Sequence, residues 1–136
     1  MIHCISVNGL ELYVVISIDL KRQNLAGTLS SHVGNLSFLR LLDVAENSFH
    51  GIVPPELGYL ARLQTLYLSN NVLEGEIPVN LSRCSNLYNL ALDRNQLEGI
   101  IPPLLGSLTK LVTLYLRNNN LKGKIPDSIG NLTSLQ

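Results

Sequence analysis

Three histidines and two cysteines are the residues of this sequence that most readily bind metals or act as nucleophiles. His3, His32 and His50 do not have the spacing of metal ligands, and Cys4 and Cys84 are too few for a disulfide framework. The chain contains no glycine-rich nucleotide loop, serine nucleophile elbow, zinc-protease motif or kinase motif. The sequence therefore predicts no catalytic residue, no metal site and no cofactor.

Three N-x-S/T sequons could accept N-linked glycans, because transfer requires an Asn followed two residues later by Ser or Thr. The acceptor residues are Asn35, Asn80 and Asn131. We predict that they are glycosylated if the chain enters the secretory pathway, on a side of the fold away from the main sheet. The alternative is that segments such as Gly34-Asn35-Leu36 simply form turns.

Charge and hydropathy argue against two classes of partner. The 136 residues include 10 basic and 10 acidic side chains, for a formal net charge of +0, and the basic residues are scattered. No positive field is available to attract nucleic acid or an anionic membrane. The longest apolar stretch, Leu12 to Ile18, is far shorter than the roughly 20 residues of a membrane helix. We expect no nucleic-acid binding and no direct membrane contact by this segment.

The elements that must position these residues repeat with a period of 24 residues, marked by Gly27, Gly51, Gly75, Gly99 and Gly123. Leucine and asparagine recur at fixed offsets from these glycines, giving L-x-x-L-x-L-x-x-N-x-L in segments such as LQTLYLSNNVL. The pattern predicts about five leucine-rich repeats in an α/β solenoid. Its expected form is a right-handed superhelix with a parallel β-sheet on the concave face.

Alternation around Leu66 and Leu68 predicts a short strand whose leucines face the core while Thr65, Tyr67 and Ser69 face outward. The Asn column must be hydrogen-bonded if it points inward, because an unpaired buried amide costs about 1–3 kcal/mol. We predict that this column forms a structural ladder between repeats, made by Asn47, Asn71, Asn95 and Asn119. Repeat one has Gln23 at this position, and its longer amide is expected not to reach the same carbonyls.

The remainder of each repeat begins with L-x-G-x-I/V-P, seen as LEGEIP, LEGIIP and LKGKIP. We interpret this segment as a tight turn at Gly followed by an extended exit at Pro. Apolar pairs three residues apart, such as Leu81 and Cys84, then predict a short helix or 3₁₀ turn on the convex side. Cys84 stands where neighbouring repeats have Leu, so it is interpreted as a small core residue rather than a reactive thiol.

Outward positions of the concave strands are the candidate ligand-binding surface. Varied side chains on a repeating frame suit recognition, and Tyr and Arg are common at interface hot spots. The predicted binding residues are Tyr67, Ser69, Asn70, Asp93, Arg94, Tyr115, Arg117 and Asn118. The alternative is that these side chains only keep the face hydrated. Two charge pairs lie one repeat apart, Asp93 with Arg117 and Glu98 with Lys122, and each pair is expected to be close in space.

From about Val15 to Gln136, the L-x-G-x-I-P segments and stretches such as GNLSFLRLLDV resemble the plant-specific class of leucine-rich repeats. The likeness is greatest to ectodomains of plant leucine-rich-repeat receptor-like kinases. The resemblance implies recognition of a peptide or protein ligand, with a co-receptor ectodomain as a further partner, in defence or developmental signalling. It implies a position on the extracellular side of the plasma membrane in a single-pass receptor. A secreted inhibitor of cell-wall polygalacturonase is the alternative, because that family has similar 24-residue repeats.

The two ends differ from the family pattern. Residues 1–14 are interpreted as the remnant of an N-terminal cap, since Cys4 resembles the second cysteine of the family's cap pair. Residues 15–136 are interpreted as the solenoid, truncated at the C-terminus because the last residues begin a new repeat. We therefore expect a fragment or truncated product without the kinase, although the full-length parent would be a serine/threonine protein kinase.

Overall fold

The computed structural model describes all 136 residues, which form twelve short strands and five 3₁₀ helices. After an N-terminal hairpin, each repeat supplies one strand to each of two parallel sheets and then one 3₁₀ helix. The first of these, the concave sheet, contains the strands predicted from the leucine alternation. Its members are β3 (Ser17–Asp19), β5 (Leu41–Asp43), β7 (Thr65–Tyr67), β9 (Asn89–Ala91) and β11 (Thr113–Tyr115). The predicted leucine-rich-repeat solenoid with a parallel concave sheet is confirmed.

The second parallel sheet was not predicted. Its strands are β4 (Ala26–Thr28), β6 (Ser48–Ile52), β8 (Val72–Glu76), β10 (Gln96–Ile100) and β12 (Asn120–Lys122). They contain the L-x-G segments. Gly75 has the left-handed φ of 77°, which suits glycine, yet it pairs with Leu97 of the next repeat. The prediction of simple tight turns is therefore wrong, because each segment bonds to its equivalents in adjacent repeats and becomes a strand.

The two sheets differ in register. In the concave sheet Leu66 lies opposite Leu90, an offset of one full repeat. In the second sheet Glu98 lies opposite Asn120, and Ile100 lies opposite Lys122. Paired residues are therefore separated in sequence by two residues less than one full repeat. Glu98 and Lys122 consequently form no ion pair within 4.0 Å, although one was expected. An equal position within the repeat does not guarantee proximity in this sheet.

The convex side consists of 3₁₀ helices, as predicted, and each begins after an extended residue such as Pro78 (φ −62°, ψ 122°). The helices are Ser31–Asn35, Pro55–Tyr59, Val79–Arg83, Pro103–Ser107 and Asp127–Asn131. Leu57, Leu81 and Leu105 face inward from them and are fully buried. Cys84 is fully buried too, and its thiol donates to the Leu57 carbonyl at 3.2 Å. This complete burial confirms its interpretation as a core residue, and it raises the pKa of Cys84 to about 11.

The predicted asparagine ladder is confirmed. The side-chain oxygen of Asn71 accepts from the backbone N–H of Phe49 at 2.9 Å, and its nitrogen donates to the carbonyls of Val44 and Leu68, both at 3.1 Å. The other members repeat this pattern: Asn47, Asn95 and Asn119. The Gln23 side chain donates only to the nearby Lys21 carbonyl, while its backbone N–H donates to Asn47 Oδ1 at 3.1 Å. Each Asn therefore joins the backbone of two successive repeats.

The N-terminal residues form an antiparallel hairpin of β1 (Ile2–Val7) and β2 (Leu10–Val15), joined by Asn8 and Gly9 with positive φ. Val15 packs against the hydrophobic core, and the Met1 carbonyl accepts from the backbone N–H of Ile16 at 3.0 Å. Cys4 lies exposed on β1 as a free thiol. None of the 3₁₀ helices is long and apolar enough to cross a membrane.

Candidate functional site

Tyr67 and Tyr115 are positioned by the register of the concave sheet. Tyr67 lies opposite Ala91, and Ala91 lies opposite Tyr115. Adjacent strands are about 4.8 Å apart, so the two tyrosine backbones are separated by about 10 Å. Ala91 is only 5% exposed, whereas Tyr115 is 53% exposed. Ala91 is therefore covered, whereas Tyr115 is exposed and Tyr67 is half-buried, so a ligand can contact this row mainly at Tyr115.

Ser69 and Asp93 do not face solvent as predicted. They are 9% and 8% exposed, and the Ser69 hydroxyl donates to the Asp93 carboxylate. Both residues follow their strands, where the chain turns inward and the next repeat lies about 4.8 Å away. Their short side chains are covered by neighbouring residues. They are therefore supporting residues beneath the surface, and their prediction as exposed contacts is wrong.

The arginines beside Asp93 remain accessible. Arg117 Nε lies 3.8 Å and Arg94 Nε lies 4.0 Å from Asp93 Oδ2, and the Arg117 side chain is 71% exposed. The expected proximity of Asp93 and Arg117 is confirmed. Arg94 also donates from Nη1 to the Asn70 side-chain oxygen at 3.3 Å. These contacts orient two guanidinium groups toward the same region, with N–H groups left for a ligand.

Asn70, Arg94 and Asn118 occupy a position where the backbone has left-handed φ values of 54–55°. Asn tolerates this conformation, but Arg does so at a cost on the order of 1–2 kcal/mol. The backbone N–H of Arg94 donates to the Arg117 carbonyl at 2.9 Å, so the bonding between repeats holds the turn. Sequence reasoning missed this constraint, although Asn in several repeats is a signal for it. Asn118 is exposed and Asn70 is half-buried.

A polar ladder missed by sequence reasoning runs along the other edge of the tyrosine row. Asn89 donates to the Thr65 hydroxyl at 3.2 Å, and the Thr113 hydroxyl donates to Asn89 Oδ1 at 2.9 Å. These residues lie directly opposite one another on β7, β9 and β11. These hydrogen bonds satisfy the polar side chains of all three residues and stabilise the pairing of the strands beneath the tyrosines.

The first two repeats carry charges that are satisfied internally. Arg22 donates to the Glu46 carboxylate, and Lys21 Nζ lies 3.4 Å from Glu46 Oε1. The hydrogen bond from Arg22 lowers the pKa of Glu46, and the hydrogen bond to Glu46 raises the pKa of Arg22. Among the predicted tyrosines and arginines of repeats three to five, Arg94, Tyr115 and Arg117 are exposed and Tyr67 is half-buried.

The three sequons lie on 3₁₀ helices. Asn35 and Asn131 end their helices and are exposed, whereas Asn80 is the second residue of Val79–Arg83 and is half-buried. His3, His32 and His50 are exposed, and no group of three or more His, Cys, Asp or Glu side chains could hold a metal ion. Whether these asparagines carry glycans remains a prediction.

Comparisons with known proteins agree with the leucine-rich-repeat fold. Two leucine-rich-repeat family models match residues 85–136 and residues 38–60 and 62–84. A search of curated proteins found no match. Among solved structures, the SOBIR1 receptor kinase ectodomain from Arabidopsis thaliana is 31% identical with a TM-score of 0.90, covering 99% of this chain and 76% of that one.

Two larger ectodomains from Arabidopsis also match. The receptor kinase GASSHO1/SCHENGEN3, in complex with CASPARIAN STRIP INTEGRITY FACTOR 2, is 39% identical over 90% of this chain with a TM-score of 0.88. HAESA, in complex with the peptide hormone IDA and the co-receptor SERK1, is 37% identical over 88% with a TM-score of 0.86. This chain spans 15% and 20% of those two chains. By its repeats and these likenesses, the chain belongs to the family of plant leucine-rich-repeat receptor kinase ectodomains.

Proposed function

We propose that this chain recognises a peptide or protein ligand through the concave sheet, as part of the extracellular region of a plant receptor kinase. The observation that carries the proposal is the concentration of Tyr67, Arg94, Tyr115 and Arg117 on repeats three to five, above a hydrogen-bonded sheet. Tyrosine and arginine are the side-chain types that are enriched at interface hot spots. The GASSHO1/SCHENGEN3 and HAESA structures contain bound signalling factors, which supports this class of ligand.

A co-receptor ectodomain is the second partner in this proposal. HAESA was solved together with SERK1, and this chain has the same repeat architecture at 37% identity. Five strands about 4.8 Å apart extend over only about 24 Å, which accommodates about seven residues of an extended peptide. The chain would therefore hold part of a ligand, and further repeats or a co-receptor would contact the remainder. Signalling by a single-pass parent would depend on a kinase domain outside these residues.

Binding by variants of the ectodomain that contains this chain tests the proposal. A panel of secreted plant peptides and the SERK1 ectodomain are titrated by calorimetry. Tyr67→Ala, Arg94→Ala or Tyr115→Ala should weaken binding by about 1 kcal/mol or more, as at other hot spots. The control is Arg83→Ala, an exposed arginine on a 3₁₀ helix without an ion pair.

Arg62 is not a suitable control, because its guanidinium stacks on Phe38 at 4.4 Å and its removal would disturb packing. If Arg83→Ala lowers the affinity and the three concave substitutions leave it unchanged, the concave sheet is excluded as the binding surface.

A further inference from the structure

The side of the solenoid next to the second sheet carries an apolar groove that nothing in the fold covers. The groove has a volume of about 280 Å³ and is lined by Ile52, Val53, Pro55, Pro78 and Val79, together with the polar residues Glu76 and Asn80. Ile52 is 60% exposed and Val79 is 45% exposed. We call it the lateral groove. It is distinct from the concave binding surface and has no role in the proposed ligand recognition.

Asn80 lines the lateral groove, and its amide has no hydrogen-bond partner in the protein. The equivalent residue two repeats later, Ser128, uses its hydroxyl to donate to the Pro103 carbonyl at 2.6 Å. Asn80 is half-buried, and because no buried side-chain N or O atom in the chain lacks a partner, its amide must reach solvent. Its amide nitrogen is free for another use.

Ser82, which completes the Asn80 sequon, replaces a glycine of the repeat. The equivalent Gly58 and Gly106 allow close contact between neighbouring 3₁₀ helices: a Cβ on Gly106 would lie 2.4 Å from the Ser128 carbonyl oxygen. The helix containing Ser82 packs less closely on the following helix than the other helices pack on theirs. The Ser82 hydroxyl makes no hydrogen bond within the protein. Helix packing therefore favours glycine at this position and does not explain Ser82. Glycan transfer to Asn80, in contrast, requires a Ser or Thr here.

We propose that Asn80 carries an N-linked glycan whose first N-acetylglucosamine lies in the lateral groove and covers Ile52 and Val79. This proposal rests on the extracellular location in the proposed function. In the transfer, Asn80 Nδ2 bonds to the anomeric carbon of a lipid-linked pyrophosphate oligosaccharide. The bond from that carbon to the pyrophosphate oxygen breaks, the amide loses one proton, and the lipid pyrophosphate leaves.

The chemistry of the sugar matches the groove. A pyranose ring has an apolar C–H face and an acetamido methyl group, while its hydroxyl groups point outward to water, so it can cover aliphatic side chains without burying unpaired polar groups. Asn131 offers a contrast, because it is exposed at the end of its helix and does not line the lateral groove. Only the Asn80 glycan is expected to protect this surface.

The test is to express the chain behind a cleavable secretory leader in plant cells, with Ser82→Gly, Asn80→Gln and Asn131→Gln as variants. Glycopeptide mass spectrometry measures occupancy, and hydroxyl-radical footprinting measures the accessibility of Ile52 and Val79. We expect Asn80 to be occupied and both side chains to be shielded. Ser82→Gly and Asn80→Gln should restore their reactivity, whereas Asn131→Gln should not. Trimming the glycan to one N-acetylglucosamine should preserve the shielding.

An unoccupied Asn80 in the secreted protein would overturn the proposal. Equal reactivity of Ile52 and Val79 in the glycoprotein and in Ser82→Gly would overturn it as well. Because Ser82→Gly restores the residue of the repeat, a loss of shielding there does not reflect misfolding. Tyr115→Ala should leave the shielding intact, so failure of the ligand proposal and failure of the glycan proposal can be told apart.

Discussion

The side-chain oxygen of Asn95 accepts a hydrogen bond at 3.0 Å from the backbone N–H of Leu73, which belongs to the preceding repeat. The nitrogen of the same amide donates to the carbonyls of Leu68 and Leu92 at 3.0 and 3.1 Å. One buried side chain therefore satisfies backbone groups of two successive repeats. This contact is the unit that stacks one repeat on the next.

Asn95→Leu should destabilise the chain by about 1–3 kcal/mol, because it leaves a buried N–H and buried carbonyls unpaired. Chemical denaturation followed by circular dichroism measures the change. Ser85→Ala, at an exposed position, is the control and should change stability by less than about 0.5 kcal/mol. Equal stabilities of the two variants would show that the ladder is not important for stability.

Ser69→Ala should also destabilise the fold, by about 1–3 kcal/mol, since its buried hydroxyl donates to the Asp93 carboxylate. A double-mutant cycle with Asp93→Asn isolates this contact from other effects of each substitution. We expect the two changes to be non-additive. Strict additivity would mean that the hydroxyl and the carboxylate do not interact in solution.

Gly106→Ala and Gly130→Ala form a matched pair, because they occupy the same position in successive repeats. A Cβ on Gly106 would lie 2.4 Å from the Ser128 carbonyl oxygen, whereas nothing lies within 4 Å of one on Gly130. Gly106→Ala should cost about 1–3 kcal/mol, as for overpacked sites, and Gly130→Ala should be near neutral. Thermal unfolding of both variants measures the difference. A similar loss in both would point to a general cost of replacing glycine rather than to helix contact.

Cys84 should resist alkylation in the folded protein, because burial raises its pKa to about 11 and removes it from solvent. Mass spectrometry after iodoacetamide treatment at pH 8 should show one labelled cysteine, the exposed Cys4, in the native state and two after denaturation. Rapid native labelling of Cys84 would contradict its burial.

The same shift makes the contribution of Cys84 depend on pH. The pKa of its thiol is higher in the folded state than the ordinary value of 9.0, so the unfolded chain binds fewer protons than the folded chain between about pH 9 and 11. The contribution of the neutral thiol to the free energy of unfolding is fully present below pH 9. It is lost as the pH rises from about 9 to 11. The stability advantage of the native chain over Cys84→Ala should therefore narrow above pH 9 in denaturation measurements. A constant difference up to pH 11 would contradict the shift.

Much of the fold could be predicted from the sequence because the repeat makes each local pattern recur. Leu66 and Leu90 occupy equivalent positions, so one alternation identifies every concave strand, and the Asn71 column must find partners wherever it is buried. Periodicity likewise places Cys84 in a leucine column and therefore in the core. These conclusions depend only on the local strand geometry and on the stacking of equivalent residues in successive repeats.

The offset of the second sheet and the burial of Ser69 depended on how neighbouring repeats stack. The sequence of a single repeat does not contain this information. The second sheet has a two-residue offset, so Glu98 faces Asn120 instead of Lys122. Ser69 appears outward from strand alternation, but close stacking covers it and pairs it with Asp93. The sequence by itself therefore determined the repeat, the core and the face that we propose binds the ligand. The tertiary structure alone decided which side chains on that face are accessible, because burial depends on the distance and offset between neighbouring repeats.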